Sequence, residues 1–108
     1  MHLLDARARL LLMGLLHRHR DVSARAARRA LGLTDGNLAS HAGRLEAAGW
    51  LESRRALAPT GFELRYRITP AGSAAFRAHL EDLRRLIDQM GQAEAESSES
   101  SAESRPVR

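Results

Sequence analysis

The sequence predicts a mainly α-helical domain that carries one small β-hairpin. Three observations lead there. Apolar residues recur at helical spacing in the first half of the chain, with capping residues between the repeats. Polar and apolar residues then alternate strictly over Glu63–Ile68, the mark of a half-buried strand. Finally, Thr69-Pro70 supplies an N-cap followed by proline at the first helical position, a strong start signal for one more helix.

The first helix is expected over Leu3–His17, where Leu4, Ala8, Leu11, Leu12 and Leu15 follow the 3.6-residue period. Its Leu10–Leu16 run, behind Arg7 and Arg9, imitates a signal-peptide core. The charges of His17-Arg18-His19-Arg20-Asp21 then stand where a small neutral cleavage region belongs, so the segment reads as an internal amphipathic helix. A second helix follows Ser23 as N-cap, spans Ala24–Leu31 and stops at Gly32. The third opens at Thr34, with Asn37 as a weak capping-box partner, and closes before Gly49. Trp50–Arg55 and Glu63–Ile68 form a hairpin through the turn Ala58-Pro59-Thr60-Gly61. The last helix runs from Pro70 to about Met90. Helix, helix, turn, helix, hairpin and closing helix is the order of a winged helix-turn-helix domain, here with an extended C-terminal dimerisation helix.

Composition limits the function. The 108 residues are 44% hydrophobic and 28% charged, enough for one domain and too few for the large enzyme folds. Cysteine is absent, which excludes disulfide frameworks and thiolate metal sites. No apolar run approaches the ~20 residues of a membrane span, so a cytoplasmic protein without membrane contact is expected. The formal charge is +4, and every basic side chain other than histidine is an arginine. Residues 94–108, rich in Ser and Glu, cannot bury enough surface to order themselves and are expected to be a disordered tail. The domain is then 1–93, which holds 15 arginines and nine acids, a basic balance suited to an anionic partner.

The third helix carries the sharpest signal. Leu38, Ala42 and Leu45 share one face, at about 100° per residue, and must point at the core. The opposite face collects Gly36, Asn37, Ser40, Gly43, Arg44 and Ala47, small and polar with no acid at its centre. A solvated face is the plain alternative. Yet each exposed helical glycine costs about 1 kcal/mol against alanine, and a purely structural face would avoid two of them. Such a surface fits a major groove about 12 Å wide, with Asn37 suited to adenine, Arg44 to guanine or a phosphate, and Ser40 to either.

These residues also carry a family resemblance. Leu31-Gly32-Leu33-Thr34-Asp35-Gly36-Asn37-Leu38-Ala39-Ser40-His41, then Arg44-Leu45-Glu46-Ala47-Ala48-Gly49-Trp50 and Tyr66-Arg67-Ile68-Thr69-Pro70-Ala71-Gly72, resemble a small subfamily of bacterial winged-helix transcriptional regulators related to the MarR and ArsR types. The resemblance covers about residues 3–90. It implies a homodimeric regulator with the third helix in the major groove and the hairpin as wing. Thr34, at the start of that helix, and His41, on its flank, join the expected DNA-binding residues, His41 as a phosphate contact or a packing residue. One departure stands out: the tip, Leu57–Glu63, has no arginine and one acid, which argues against its insertion into the minor groove. Arg54, Arg55, Arg65 and Arg67 on the strands remain as expected phosphate contacts, although arginines on exposed strands often serve only solubility.

On the final helix Phe76, Leu80, Leu83, Ile87 and Met90 follow 4-3-4-3 spacing, the seam of a coiled coil. The expectation is a homodimer through this seam, helped by Leu4 and Leu11 of the first helix, against the plainer alternative of packing on the chain's own core. Of the five histidines, His79 with Asp82 has helical-neighbour spacing, while His17 and His19 do not face one another. Two ligands without cysteine do not make a metal site, so no metal and no cofactor are expected. Serines lack a nucleophile motif and no phosphate loop is present, so no enzyme is expected. The sequence thus points to a regulator that binds double-stranded DNA, with space for a small-molecule effector beside the dimer helices. The competing class is a winged helix that binds proteins, to which a wing tip without arginine is better suited.

Overall fold

A computed structural model describes the backbone of residues 2–103 and the side chains of residues 2–95. After a short 3-10 turn at Leu3–Asp5 come α1 (Arg7–His19), β1 (Asp21–Ser23), α2 (Ala24–Leu31), α3 (Asp35–Ala47), β2 (Leu51–Ala58), β3 (Gly61–Ile68) and α4 (Pro70–Glu103). The strands form one antiparallel sheet in the order β1-β3-β2. Four helices and a small three-stranded sheet make a winged helix fold, as the order of elements predicts. The chain divides into two compact units, Met1–Arg77 and Ala78–Arg108.

The caps lie where the sequence puts them. Ser23 Oγ accepts from the Ala26 N–H at 3.0 Å, and Thr34 Oγ1 accepts from the Asn37 N–H at 3.1 Å. Gly32 ends α2 in the left-handed region at φ 63°. Other boundaries differ from the expected ones. The first helix begins at Arg7 and not at Leu3, because His2 and Asp5 form their own capping box: Leu4 N–H donates to His2 Nδ1 at 3.0 Å and His2 N–H to Asp5 Oδ2 at 2.9 Å. The hairpin gains a third strand, β1, whose Val22 lies opposite Tyr66. Helix α4 continues past Met90 to Glu103; residues 92–96, Gln-Ala-Glu-Ala-Glu, favour helix, while the four serines that follow are weaker helix formers. Helical backbone therefore runs through 94–103 of the segment expected to be a tail, and residues 104–108 lie outside the described residues.

In the first unit Leu12, Met13 and Leu16 of α1 meet Leu38, Ala42 and Leu45 of α3, and Leu51, Tyr66 and Ile68 close the core from the sheet. Leu4 and Phe76 belong to this core as well, at 1% and 7% exposure. The start of α4 is joined to the end of α3. Thr69 N–H donates to the Trp50 carbonyl at 3.1 Å, and the Thr69 hydroxyl donates to the Gly49 carbonyl at 2.7 Å while accepting from Gly72 N–H at 2.9 Å. Gly72 lies so close to Trp50 that a Cβ there would come within 1.9 Å of the carbonyl oxygen.

Candidate nucleic-acid interface

Helix α3 buries Leu38, Ala42 and Leu45 and leaves Gly36, Asn37, Ser40, Gly43, Arg44 and Ala47 exposed, so the two predicted faces are the observed ones. Thr34 is exposed at its N-cap. Neither Gly36 nor Gly43 has a positive φ, and a Cβ at either would meet no atom within 4 Å. The fold itself thus has no use for a glycine at these positions.

His41 stands apart from that open face. It is half-buried, and its Nδ1 lies 3.3 Å from Nη1 of Arg9, whose Nε donates to the Leu3 carbonyl at 2.6 Å. Burial, then the charges of Arg9 and Arg44, hold the imidazole pKa below its ordinary value. A neutral His41 can accept from Arg9 and so tie α3 to the N-terminal turn. Arg9, only 6% exposed, was not among the candidate residues; its position within an apolar helical repeat gave no sign of this role. On the other flank of α3, Glu46 Oε1 accepts from the N–H and hydroxyl of Ser53, at 3.1 and 2.7 Å, and holds β2 in place.

The wing arginines divide between two faces. Cross-strand partners share a face, and Leu51/Ile68 and Ser53/Tyr66 define the core side, which continues outward through Arg55/Leu64 and Leu57/Phe62. Arg54, Arg65 and Arg67 lie on the opposite face and converge on one carboxylate. Asp21 of β1 receives Arg54 Nη2 at 2.6 Å and Arg65 Nε at 2.7 Å, with Arg67 Nε at 3.4 Å. Arg65 also donates to Glu63 at 2.7 Å. The hydrogen bond from Arg54, reinforced by that from Arg65 against the cost of burial, lowers the Asp21 pKa to about 2. With Glu52 opposite Arg67, this face carries three arginines and three acids. Arg55 is placed differently, its guanidinium 5.7 Å from the Phe62 ring centroid. Arg28 of α2 pairs with Asp35 at 3.1 Å, and Arg25 is exposed nearby.

Of the residues assigned to a dimer seam, Leu4 and Phe76 are core residues, Leu83 is half-buried, and Leu11, Leu80, Ile87 and Met90 are exposed together with Leu86. Asp82 pairs with Arg85 at 3.8 Å. No helix among the described residues is long and apolar enough to cross a membrane.

Comparison with known proteins bears on the fold and the family. A family model described as a winged helix DNA-binding domain matches residues 8–87. Among solved structures, the transcriptional regulator homologue protein from Pyrococcus horikoshii OT3 is 29% identical, with 82% of this chain and 88% of that one covered and a TM-score of 0.78. A PadR family transcriptional regulator from Eggerthella lenta is 25% identical over 77% of this chain and 80% of its own, with a TM-score of 0.64. The homodimeric winged helix-turn-helix domain of Mb0332 from Mycobacterium bovis, described as a possible ArsR-family regulator, shares the fold at 20% identity, with 81% and 77% covered and a TM-score of 0.66. No curated protein sequence matches the chain.

Proposed function

The chain belongs to the winged helix DNA-binding domain family, and from that premise we propose that it is a sequence-specific, homodimeric transcriptional regulator of double-stranded DNA. The observation that carries the reading is the open face of α3. Its two glycines meet nothing within the fold, and Asn37, Ser40 and Arg44 surround them with groups that recognise base edges. In this reading α3 lies in the major groove, Thr34 and Arg25 approach the backbone, and His41 positions the helix through Arg9. The wing touches phosphates through Arg55 and through whichever of Arg54, Arg65 and Arg67 exchange Asp21 for DNA. The exposed Leu80, Ile87 and Met90 of α4 support dimerisation, as does the homodimeric state of the Mb0332 neighbour. The motif at Leu31–His41 favours the MarR/ArsR-like subfamily of bacterial, cytoplasmic, non-enzymatic regulators. For a small-molecule effector, the cleft lined by Leu15, Val22, Ala26 and Arg65 offers an apolar wall beside a charge. In this reading the folding domain is 1–93, so truncation after Ala93 leaves the melting temperature unchanged.

The charge balance of the wing's outer face favours a second reading, a module that binds protein. Titration of the full chain with a duplex selected from a random pool, and with its scrambled counterpart, separates the two. A DNA regulator loses affinity steeply as salt rises. Arg44→Ala costs it about 1–3 kcal/mol on the selected duplex and little on the scrambled one. Salt-independent, weak binding to both duplexes leaves the protein-binding module.

A further inference from the structure

Two arginines that the DNA-binding reading leaves without a role share a pocket at the body end of the sheet. The pocket lies where the end of α1, the end of β3 and the start of α4 meet. It has a volume of about 310 Å³ and is lined by the polar Arg20, Ser73 and Arg77 and the apolar Ile68 and Pro70. Gly61, at the wing tip, stands roughly 23 Å away along β3. Neither guanidinium has an ion-pair partner among the described residues. Asp21, the acid next to Arg20 in the chain, is already held by Arg54 and Arg65. Ser73, only 6% exposed, accepts from Arg20 Nη1 at 3.2 Å and has His17 Nδ1 at 3.5 Å. The backbone of Arg20 adds a second observation. At φ 69° and ψ −43° it is the one non-glycine residue with positive φ among those described. Its N–H donates to the Leu16 carbonyl at 2.7 Å and its carbonyl accepts from the Ile68 N–H at 3.1 Å, which fixes that conformation. Glycine would take it with least strain, so an arginine there points to a use for the guanidinium.

Two cations on one small pocket repel each other, and an anion between them removes that repulsion. Each guanidinium offers a planar fork of N–H donors that matches two oxygens of a carboxylate or a phosphate. A pocket of this size suits a compound of one ring or a short chain, and Ile68 and Pro70 offer its body an apolar wall. We propose that the pocket binds a small organic anion, held by Arg20 and Arg77 through its carboxylate or phosphate group. Bound there, the anion joins the end of α1 to α4, in parallel with the hydrogen bond from Arg20 to Ser73. The site is separate from the cleft at Leu15 and Val22. Binding there needs no DNA, so the proposal stands apart from the DNA-binding reading.

The test uses the full chain with benzoate and phenyl phosphate as probes, in calorimetric titrations and thermal melts. At least one of them is expected to bind once per chain and to raise the melting temperature by about 4 °C or more at ten times its dissociation constant. Sodium chloride of equal ionic strength does not, and the probe that binds identifies the head group. Arg20→Gly and Arg77→Gln, each alone, should lower affinity for that probe at least tenfold. Glycine accepts the backbone of Arg20 and Arg77 is exposed, so both variants should melt within a few degrees of the parent. Arg29→Gln, which removes the same charge from an exposed site outside the pocket, keeps the parent's affinity. If neither probe shifts the melt beyond the salt control, the proposal is overturned. Equal weakening by all three variants overturns it too, as general attraction to a basic surface. Should Arg77→Gln weaken duplex binding and leave probe binding unchanged, these cations serve DNA and the proposal fails.

Discussion

Adding one methyl group to α3 should stabilise the protein and weaken its function at once. Gly43 is an interior residue of a 13-residue helix, and a Cβ there meets nothing within 4 Å. Gly43→Ala therefore gains the full helix-propensity difference, about 1 kcal/mol, with no steric cost against it. In a domain of this size that raises the melting temperature by about 4–8 °C. Gly36, the second residue of α3, gains less, because the first turn forms fewer backbone bonds. On DNA the sign reverses. A helix about 10–12 Å across in a groove about 12 Å wide leaves little slack, so the methyl lifts the contact face. Losing one base contact costs about 1–3 kcal/mol, on the order of 10- to 100-fold in affinity. Circular dichroism melts and fluorescence anisotropy on the selected duplex measure the two effects on the same preparation. A variant that melts higher and binds unchanged removes this face of α3 from the interface. One that melts no higher refutes the claim that the glycines lack a structural role.

Three further outcomes are expected. Gly72→Ala places its methyl 1.9 Å from the Trp50 carbonyl oxygen; overpacking and a weakened Thr69 bond should cost about 2–4 kcal/mol net of helix propensity, read as a lower urea midpoint. Asp21 has a folded pKa of about 2 against an ordinary 3.8, so its contribution is complete above the ordinary value and is lost as pH falls through the folded one. With the pair partly open to solvent, Asp21→Asn should lower stability by on the order of 1 kcal/mol at pH 6 and by a small fraction of that at pH 2, in urea melts at both. Leu83→Asp with Ile87→Asp should give a monomer in sedimentation velocity at micromolar concentration; a parent that is itself monomeric refutes the seam.

Local chemistry made the helices legible. Ser23, Gly32, Thr34 and Gly49, and Thr69 in its capping bond to Gly72, act within three or four residues of themselves, so that geometry is written beside them in the chain. The two faces of α3 were legible for the same reason, since period alone separates Leu38, Ala42 and Leu45 from Gly36, Ser40 and Gly43. What escaped depends on distant partners. Strand β1 has three residues, too few to show alternation. Asp21 meets Arg54 and Arg65 from 33 and 44 positions away, and no spacing rule announces such a pair. The repeat from Phe76 to Met90 identifies a continuous apolar face but not what covers it; Phe76 is buried in the domain's own core, while Ile87 and Met90 remain open. At the wing, a count of charges registered the missing arginine and passed over the two large apolar side chains in its place.

The joint between α3 and α4 makes the domain a stiff transmission. Between Ile68, the last residue of β3, and Pro70, the first of α4, stands Thr69 alone, and both its N–H and its hydroxyl are engaged by carbonyls that follow α3. Gly72 closes the remaining gap, its backbone pressed against Trp50 with no room for a side chain. No loop is left there to absorb a twist. The first turn of α4 is thereby tied directly to the carboxyl end of α3. The first turn of α4 and the helix that carries Asn37, Ser40 and Arg44 therefore share one joint, made by Thr69 and Gly72.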